Sequence, residues 1–176
     1  MTEEDFIKSC LDNNPQAQEE LYRRFAPKMF GICLRFTKNK MEAEDVLQEG
    51  FIKIFTHLKD YRNDGSLEGW IRRTMINTAI NYYKKRAKQF SDVQIESMEI
   101  TDKKVESVID KLSADELLSV IQDLPDGYRM VFNLSVIEGF THKEVGDMLG
   151  ISENTSKSQL SRARTVLQGK IKKNIK

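Results

Sequence analysis

The residues from Gly139 to Leu167, GFTHKEVGDMLGISENTSKSQLSRARTVL, constrain this chain more than any other stretch. Thr141 followed three residues later by Glu144 is a capping box: the hydroxyl accepts from the Glu144 N–H while the carboxylate reaches back. The pair predicts a helix start. Val145, Met148 and Leu149 give that helix an apolar face, and Gly150 supplies a residue that turns left-handed at no steric cost. Ser152 is a good N-cap for a second helix. On it, Ser156, Leu160, Ala163 and Leu167 fall at steps of four, three and four, which is one inward stripe. The opposite face carries Asn154, Ser158, Ser161, Arg162 and Thr165, with Lys157 and Arg164 on the flank. This is a helix-turn-helix whose second helix presents hydrogen-bonding and cationic groups outward, as a helix entering the major groove requires. A merely solvated face would mix in more acids, and only Glu153 occurs here.

The chain has 176 residues, 39% of them hydrophobic, which suits one large or two small domains with real cores. No long apolar run and no charged-then-apolar leader is present, so no membrane insertion and a cytoplasmic location are expected. Cys10 and Cys33 lie far apart without a C-x-x-C or a histidine cluster, so both read as reduced thiols and no metal or cofactor is expected. His57 and His142 are isolated, and no paired carboxylates or nucleophile–base arrangement emerges. No catalytic residue, and hence no enzyme, is expected.

The net charge of +1 conceals a division. Residues 1–90 carry a net +3, residues 91–126 a net −7 and residues 127–176 a net +5. Two basic lobes are joined by an acidic strap: basic surfaces attract phosphate, while an acidic segment poor in aromatics resembles a solvated linker.

The spacing predicts a first helix starting near Pro15 and running through Leu21 and Phe25, with Pro27 opening a second. Met29, Ile32, Cys33 and Phe36 continue that pattern, and Asn39 with Glu42 reads as a cap. Over Met41–Leu58 a wide core stripe contains Ala43, Leu47, Gly50, Ile54 and Leu58, with Asp45, Gln48 and Glu49 off its centre. Residues 59–66, KDYRNDGS, read as a loop. A further helix is predicted over Leu67–Lys88: Leu67, Trp70, Ile71 and Met75 face inward, and its polar, basic end holds Asn77, Asn81, Tyr82, Tyr83, Lys84, Lys85, Arg86 and Lys88. Amides and phenols interleaved with cations can bond base edges, stack on unpaired bases and hold phosphates. Residues 89–113 read as a tether with a short helix near Val105–Leu112. From Ala114 a helix runs to Leu124, Pro125-Asp126-Gly127 breaks it, and another with Met130, Val131, Leu134 and Val136 leads into the helix-turn-helix. The expected fold is all-α: two small helical domains, the second a helix-turn-helix, joined by an acidic linker.

Three blocks, MEAEDVLQEGFIKIFTHL, LEGWIRRTMINTAINYYKKRAK and LPDGYRMVFNLSVIEGFTHKEVGDMLGISENTSKSQLSRARTVL, resemble the extracytoplasmic-function group of bacterial RNA polymerase sigma factors. The resemblance implies a promoter-specificity subunit with a region 2-like domain over 1–90, an acidic linker over 91–113 and a region 4-like domain over 114–176. Its implied partners are core RNA polymerase, through the clamp coiled coil and flap, promoter DNA and an anti-sigma factor. Asp45, Gln48 and Glu49 match the block that docks on the clamp. Tyr61, Asn63, Asp64 and Ser66 of the loop, with Asn77, Asn81, Lys84, Lys85 and Arg86, match the parts that take up the melted minus-10 strand. Lys157, Ser158, Ser161, Arg162 and Arg164 match the minus-35 reader. Departures are local: Gly50 replaces a larger residue and is expected to loosen its helix by roughly 0.5–1 kcal/mol. Ser156 stands for an aliphatic, Gln159 for an arginine, and Asn81 and Tyr83 for the commoner Asp and Arg. A stand-alone helix-turn-helix regulator is the alternative, but it needs a sensor domain, and residues 1–90 show no ligand-pocket pattern.

Overall fold

The computed structural model describes residues 1–89 and 112–174. Among these, every regular element is helical. The first lobe holds α1 (Glu3–Leu11), α2 (Pro15–Phe36), α3 (Lys40–His57) with a 3-10 turn at Leu58–Asp60, and α4 (Leu67–Gln89). The second holds α5 (Ala114–Gln122), α6 (Asp126–Phe132) continued by a π turn at Asn133–Ile137, α7 (His142–Leu149) and α8 (Glu153–Asn174).

The starts of these helices follow local chemistry. The Asn39 side chain accepts from the Glu42 N–H at 2.9 Å, as its position predicts. Ser113 and Glu116 form a full capping box, which places Ser113, the last residue of the expected linker, at the start of α5 instead. Residues 91–111 of that linker, and with them all but the last residue of the short helix expected near Val105–Leu112, lie outside the described residues.

The first lobe is a three-helix core. Leu21, Met29 and Cys33 of α2 meet Ile54 of α3 and Ile71 and Met75 of α4, all fully buried. Each such side chain contributes about 1.5–3 kcal/mol by leaving water.

Three expectations need correction in this lobe. The first helix begins at Glu3, opened by a Thr2–Asp5 capping box, and buries Cys10. Its few apolar residues make a weak stripe, but the box was a legible signal. Pro27 lies inside one continuous 22-residue α2 rather than at a new start. Pro27 itself is exposed, while Phe25, Ala26 and Met29 around it are buried, so packing on both sides carries the helix across the lost N–H bond. Gly50 does not simply loosen α3. A Cβ there would collide with the Sδ of the fully buried Met75, whose side chain fills the space beside Gly50.

In the second lobe Met130, Val131 and Leu134 are buried as expected, but Val136 is 42% exposed. Val136 follows Leu134 by two residues, roughly 200° round the helix, and so falls on the side away from the buried face.

Candidate nucleic-acid interface

The helix-turn-helix forms as its caps predict. Thr141 Oγ1 accepts from Glu144 N at 3.2 Å, and Glu144 accepts from Thr141 N at 2.8 Å. Gly150 closes α7 in the left-handed region at φ 71°. Ser152 Oγ then accepts from Thr155 N at 3.0 Å and opens α8. Leu160, Ala163 and Leu167 are buried against the domain, so α8 has the rotation its stripe predicts. Ser156, on the same stripe, is fully buried and pairs with His142 Nδ1 at 2.8 Å. The polar residue at an aliphatic position thus ties α8 to α7.

The outward face of α8 is only partly open. Asn154 and Lys157 are exposed, whereas Ser158, Ser161, Arg162, Arg164 and Thr165 are half-buried. Arg162 Nε is buried without a hydrogen-bond partner in this arrangement. An unpaired buried guanidinium nitrogen is costly.

In the first lobe the loop before α4 is organised by its own side chains. Tyr61 donates its hydroxyl proton to Gly65 O at 2.7 Å and packs on Trp70 with ring centroids 5.7 Å apart. Asn63 takes φ 60° and donates to Glu4 at 3.1 Å. Ser66 Oγ accepts from Gly69 N at 3.0 Å, capping α4, and Asp64 is exposed. Asn77, Asn81 and Lys85 are exposed on α4 and Lys84 is half-buried. Arg86 pairs with Glu42 at the start of α3.

On α3, Asp45 and Gln48 are exposed, and Glu49 lies 3.3 Å from Lys53 and 3.9 Å from Lys85. Exposed pairs of this kind contribute little and separate easily. Sequence reasoning missed two apolar members of this face. Met41 and Ile52 are 69% and 67% exposed and fall with Asp45 and Gln48 at steps of four, three and four. An apolar pair at helical spacing outside the core stripe was the available signal.

The two lobes pack on each other. Arg35 of α2 and Arg72 of α4 both grip Glu138, and Arg35 also donates to Asn133 Oδ1 at 3.0 Å. Asn133 Nδ2 donates back to Arg35 O at 2.8 Å, and Gln122 Nε2 to Leu34 O at 3.0 Å. Near the basic end of α4, the Tyr83 hydroxyl and the Gln159 amide of α8 both lie beside Gly127. Burial, then the nearby Asp126 carboxylate, pushes the Tyr83 phenol up, so it stays neutral.

Residues 21–89 match the family model for Sigma-70 region 2, and residues 114–167 match that for Sigma-70 region 4. The chain is 28% identical over 176 residues to the RNA polymerase sigma-H factor of Pseudomonas aeruginosa, covering 94% of this chain and 91% of that protein. It is 31% identical over 153 residues to the ECF RNA polymerase sigma factor SigM of Bacillus subtilis, covering 85% and 92%. The sigma factor RpoE of Bartonella quintana, solved with the anti-sigma factor NepR, shares the fold at a TM-score of 0.54 and 22% identity, covering 88% and 96%. Regions 2 and 4 in this order define a two-domain initiation factor. The chain belongs to the extracytoplasmic-function group of sigma-70 factors. It is a promoter-specificity subunit of RNA polymerase and binds the core enzyme and promoter DNA. Among the described residues, no helix is long and apolar enough to cross a membrane.

Proposed function

We propose that the two lobes divide the promoter between them in the cytoplasm, residues 1–90 taking the clamp and the melted minus-10 strand and residues 114–176 reading minus-35. The observation that carries this reading is the capped helix-turn-helix, in which α8 buries Leu160, Ala163 and Leu167, so that the residues assigned to minus-35 fall on its other faces. Arg162 falls on the side of α8 opposite the buried stripe, and its planar fork suits two acceptors of one guanine. Arg164 lies at the flank, where a phosphate is the natural partner. On α3, the acidic and apolar stripe of Met41, Asp45, Gln48 and Ile52, with Glu49 beside it, suits a basic partner surface with an apolar centre. An anti-sigma factor is a further partner, supported by the fold's likeness to RpoE in its complex with NepR.

The test is transcription by reconstituted holoenzyme on a panel of minus-35 substitutions at two salt concentrations. Arg162→Ala is expected to cost about 1–3 kcal/mol and relax preference at one base pair. Arg164→Ala is expected to weaken all promoters alike and lower the salt slope by about one. Equal loss on every promoter from Arg162→Ala would overturn the assignment of its face. Reversing Asp45 and Glu49 to Lys should abolish assembly with core polymerase while the circular dichroism spectrum stays unchanged.

A further inference from the structure

The contact that closes the lobes on each other is ionic and partly sheltered, with the Arg72 side chain still 41% exposed. The Glu138 side chain is 6% exposed, and it takes a two-pronged fork from Arg72, with Nε 3.1 Å from Oε2 and Nη2 2.7 Å from Oε1. Arg35 Nη2 adds a bond to Oε1 at 3.0 Å. Both arginines belong to the first lobe, one at the end of α2 and one on α4, while the acid belongs to the second. A carboxylate this far from water persists only where charge and hydrogen bonds match it. Two guanidinium groups converging on one anionic oxygen also match a phosphate, whose oxygens accept the same planar forks.

The surroundings repeat the pattern. Beside the clasp, Arg72, Arg73 and Asn77 of α4 form one wall of a cleft of about 510 Å³, and Glu138, Glu144 and Asp147 stand on the other. The acidic edge of the second lobe therefore lies along the side of α4 that carries Asn77, one of the residues assigned to promoter DNA.

We infer that Arg35 and Arg72 form a site for a backbone phosphate of promoter DNA, and that Glu138 occupies this site as an internal stand-in for phosphate while the chain is closed. The inference rests on the reading that the first lobe faces DNA. When the lobes part, Glu138 leaves with the second lobe and the pair is uncovered beside Asn77. DNA binding to the closed chain must first displace Glu138, which reduces apparent affinity by the fraction of time the pair is open. Polymerase that holds the lobes apart removes the competitor.

The test uses the free full-length chain, a labelled short single strand of mixed sequence, a series of salt concentrations and small-angle scattering. Glu138→Gln keeps the size of the side chain and removes its charge. It is expected to enlarge the radius of gyration and to bind the strand about tenfold tighter, by unmasking one charge-assisted site. The Arg35→Ala, Arg72→Ala double variant breaks the same clasp and expands equally, but lacks the site. It is expected to bind no tighter than the parent, with a log–log salt slope shallower than that of Glu138→Gln by about 0.7 for the one phosphate lost. Glu138→Ala repeats the first arm should the amide find new partners, and circular dichroism confirms that each variant is folded. Equal affinity of Glu138→Gln and the expanded double variant overturns the phosphate site. Failure of both Glu138 variants to bind tighter than the parent overturns the competition. Crosslinking of the first lobe to the minus-10 strand in holoenzyme tests the underlying reading separately. It persists without Arg35 and Arg72 if only the phosphate site is wrong, and is absent in the parent if the lobe does not face DNA.

Discussion

The two lobes solve the problem of buried polar groups in different ways. In the first, the buried Thr37 and Thr78 each donate a hydroxyl proton to the carbonyl four residues back in the same helix, Cys33 O and Thr74 O, both at 2.7 Å. Their demands are met locally, and the three long helices are free to pack apolar faces. In the second lobe the buried Arg129, Asn133 and Ser156 reach across to other elements. Arg129 donates to Ile121 O at 3.2 Å, to Gln122 O at 2.8 Å and to Leu124 O, sealing the end of α5. Asn133 bonds Arg35 in the first lobe, and Ser156 bonds His142. Helix length accounts for the bonds of Arg129 at the end of the nine-residue α5, whereas Asn133 covers a carbonyl of the long α2 and Ser156 pairs with a side chain. Every helix leaves four carbonyls unpaired at its end, so α5, α6 and α7, with 9, 7 and 8 residues, carry more orphans per residue than the 22-residue α2. Short helices need side chains from elsewhere to cover them.

This contrast can be broken by four substitutions of decreasing effect. Arg129→Ala uncovers three carbonyls at once and should cost the second lobe about 4 kcal/mol, at 1–3 kcal/mol per orphaned group with partial rescue by water. Hydrogen exchange should then show residues 114–173 opening while 1–89 stay protected; simultaneous loss in both lobes would mean that they are one cooperative unit. Ile54→Ala, in the apolar core, should cost the first lobe about 3 kcal/mol through lost burial and the cavity left behind, read from denaturant midpoints. Ser156→Val removes the partner of His142 and should cost about 1 kcal/mol, although a valine there suits the helix stripe. Thr78→Val deletes a hydroxyl bonded only within its own helix and should change stability by less than about 0.5 kcal/mol. If Thr78→Val proves the more damaging of this last pair, the distinction between local and bridging polar groups fails.

Cys33 illustrates how far the apolar lobe excludes water. Burial pushes its thiol up to about 12, so the thiolate is absent at neutral pH and the side chain behaves as a small hydrophobe.

Helix starts and stops were legible because their causes lie within one turn of chain. Asn39 and Glu42, Thr141 and Glu144, Gly150 and Ser152 each act on neighbours three or four residues away, and each acts in the structure as its position predicts. The rotation of α8 was legible for the same reason, since a stripe at helical spacing has one way to face a core. Pro27 and Gly50 were misjudged because their consequences depend on another helix. A proline's lost bond is tolerable when packing holds both flanks, and a missing Cβ is an asset only when Met75 fills the space.

The site divides along the same line. Which side chains face away from the core of α8 and α3 followed from spacing, but how open those faces are did not. Most of the reader face is half-buried, and Tyr83 and Gln159 both approach Gly127 from segments far apart in the chain. Glu138 lies 66 residues from Arg72 and 103 from Arg35, and no periodicity connects them. Backbone propensity and capping are settled by near neighbours, so the sequence alone determined the helices, their caps and their inward stripes. The worth of a charge depends on what excludes water from it and what pairs with it, and only the packing of one lobe against the other decided that.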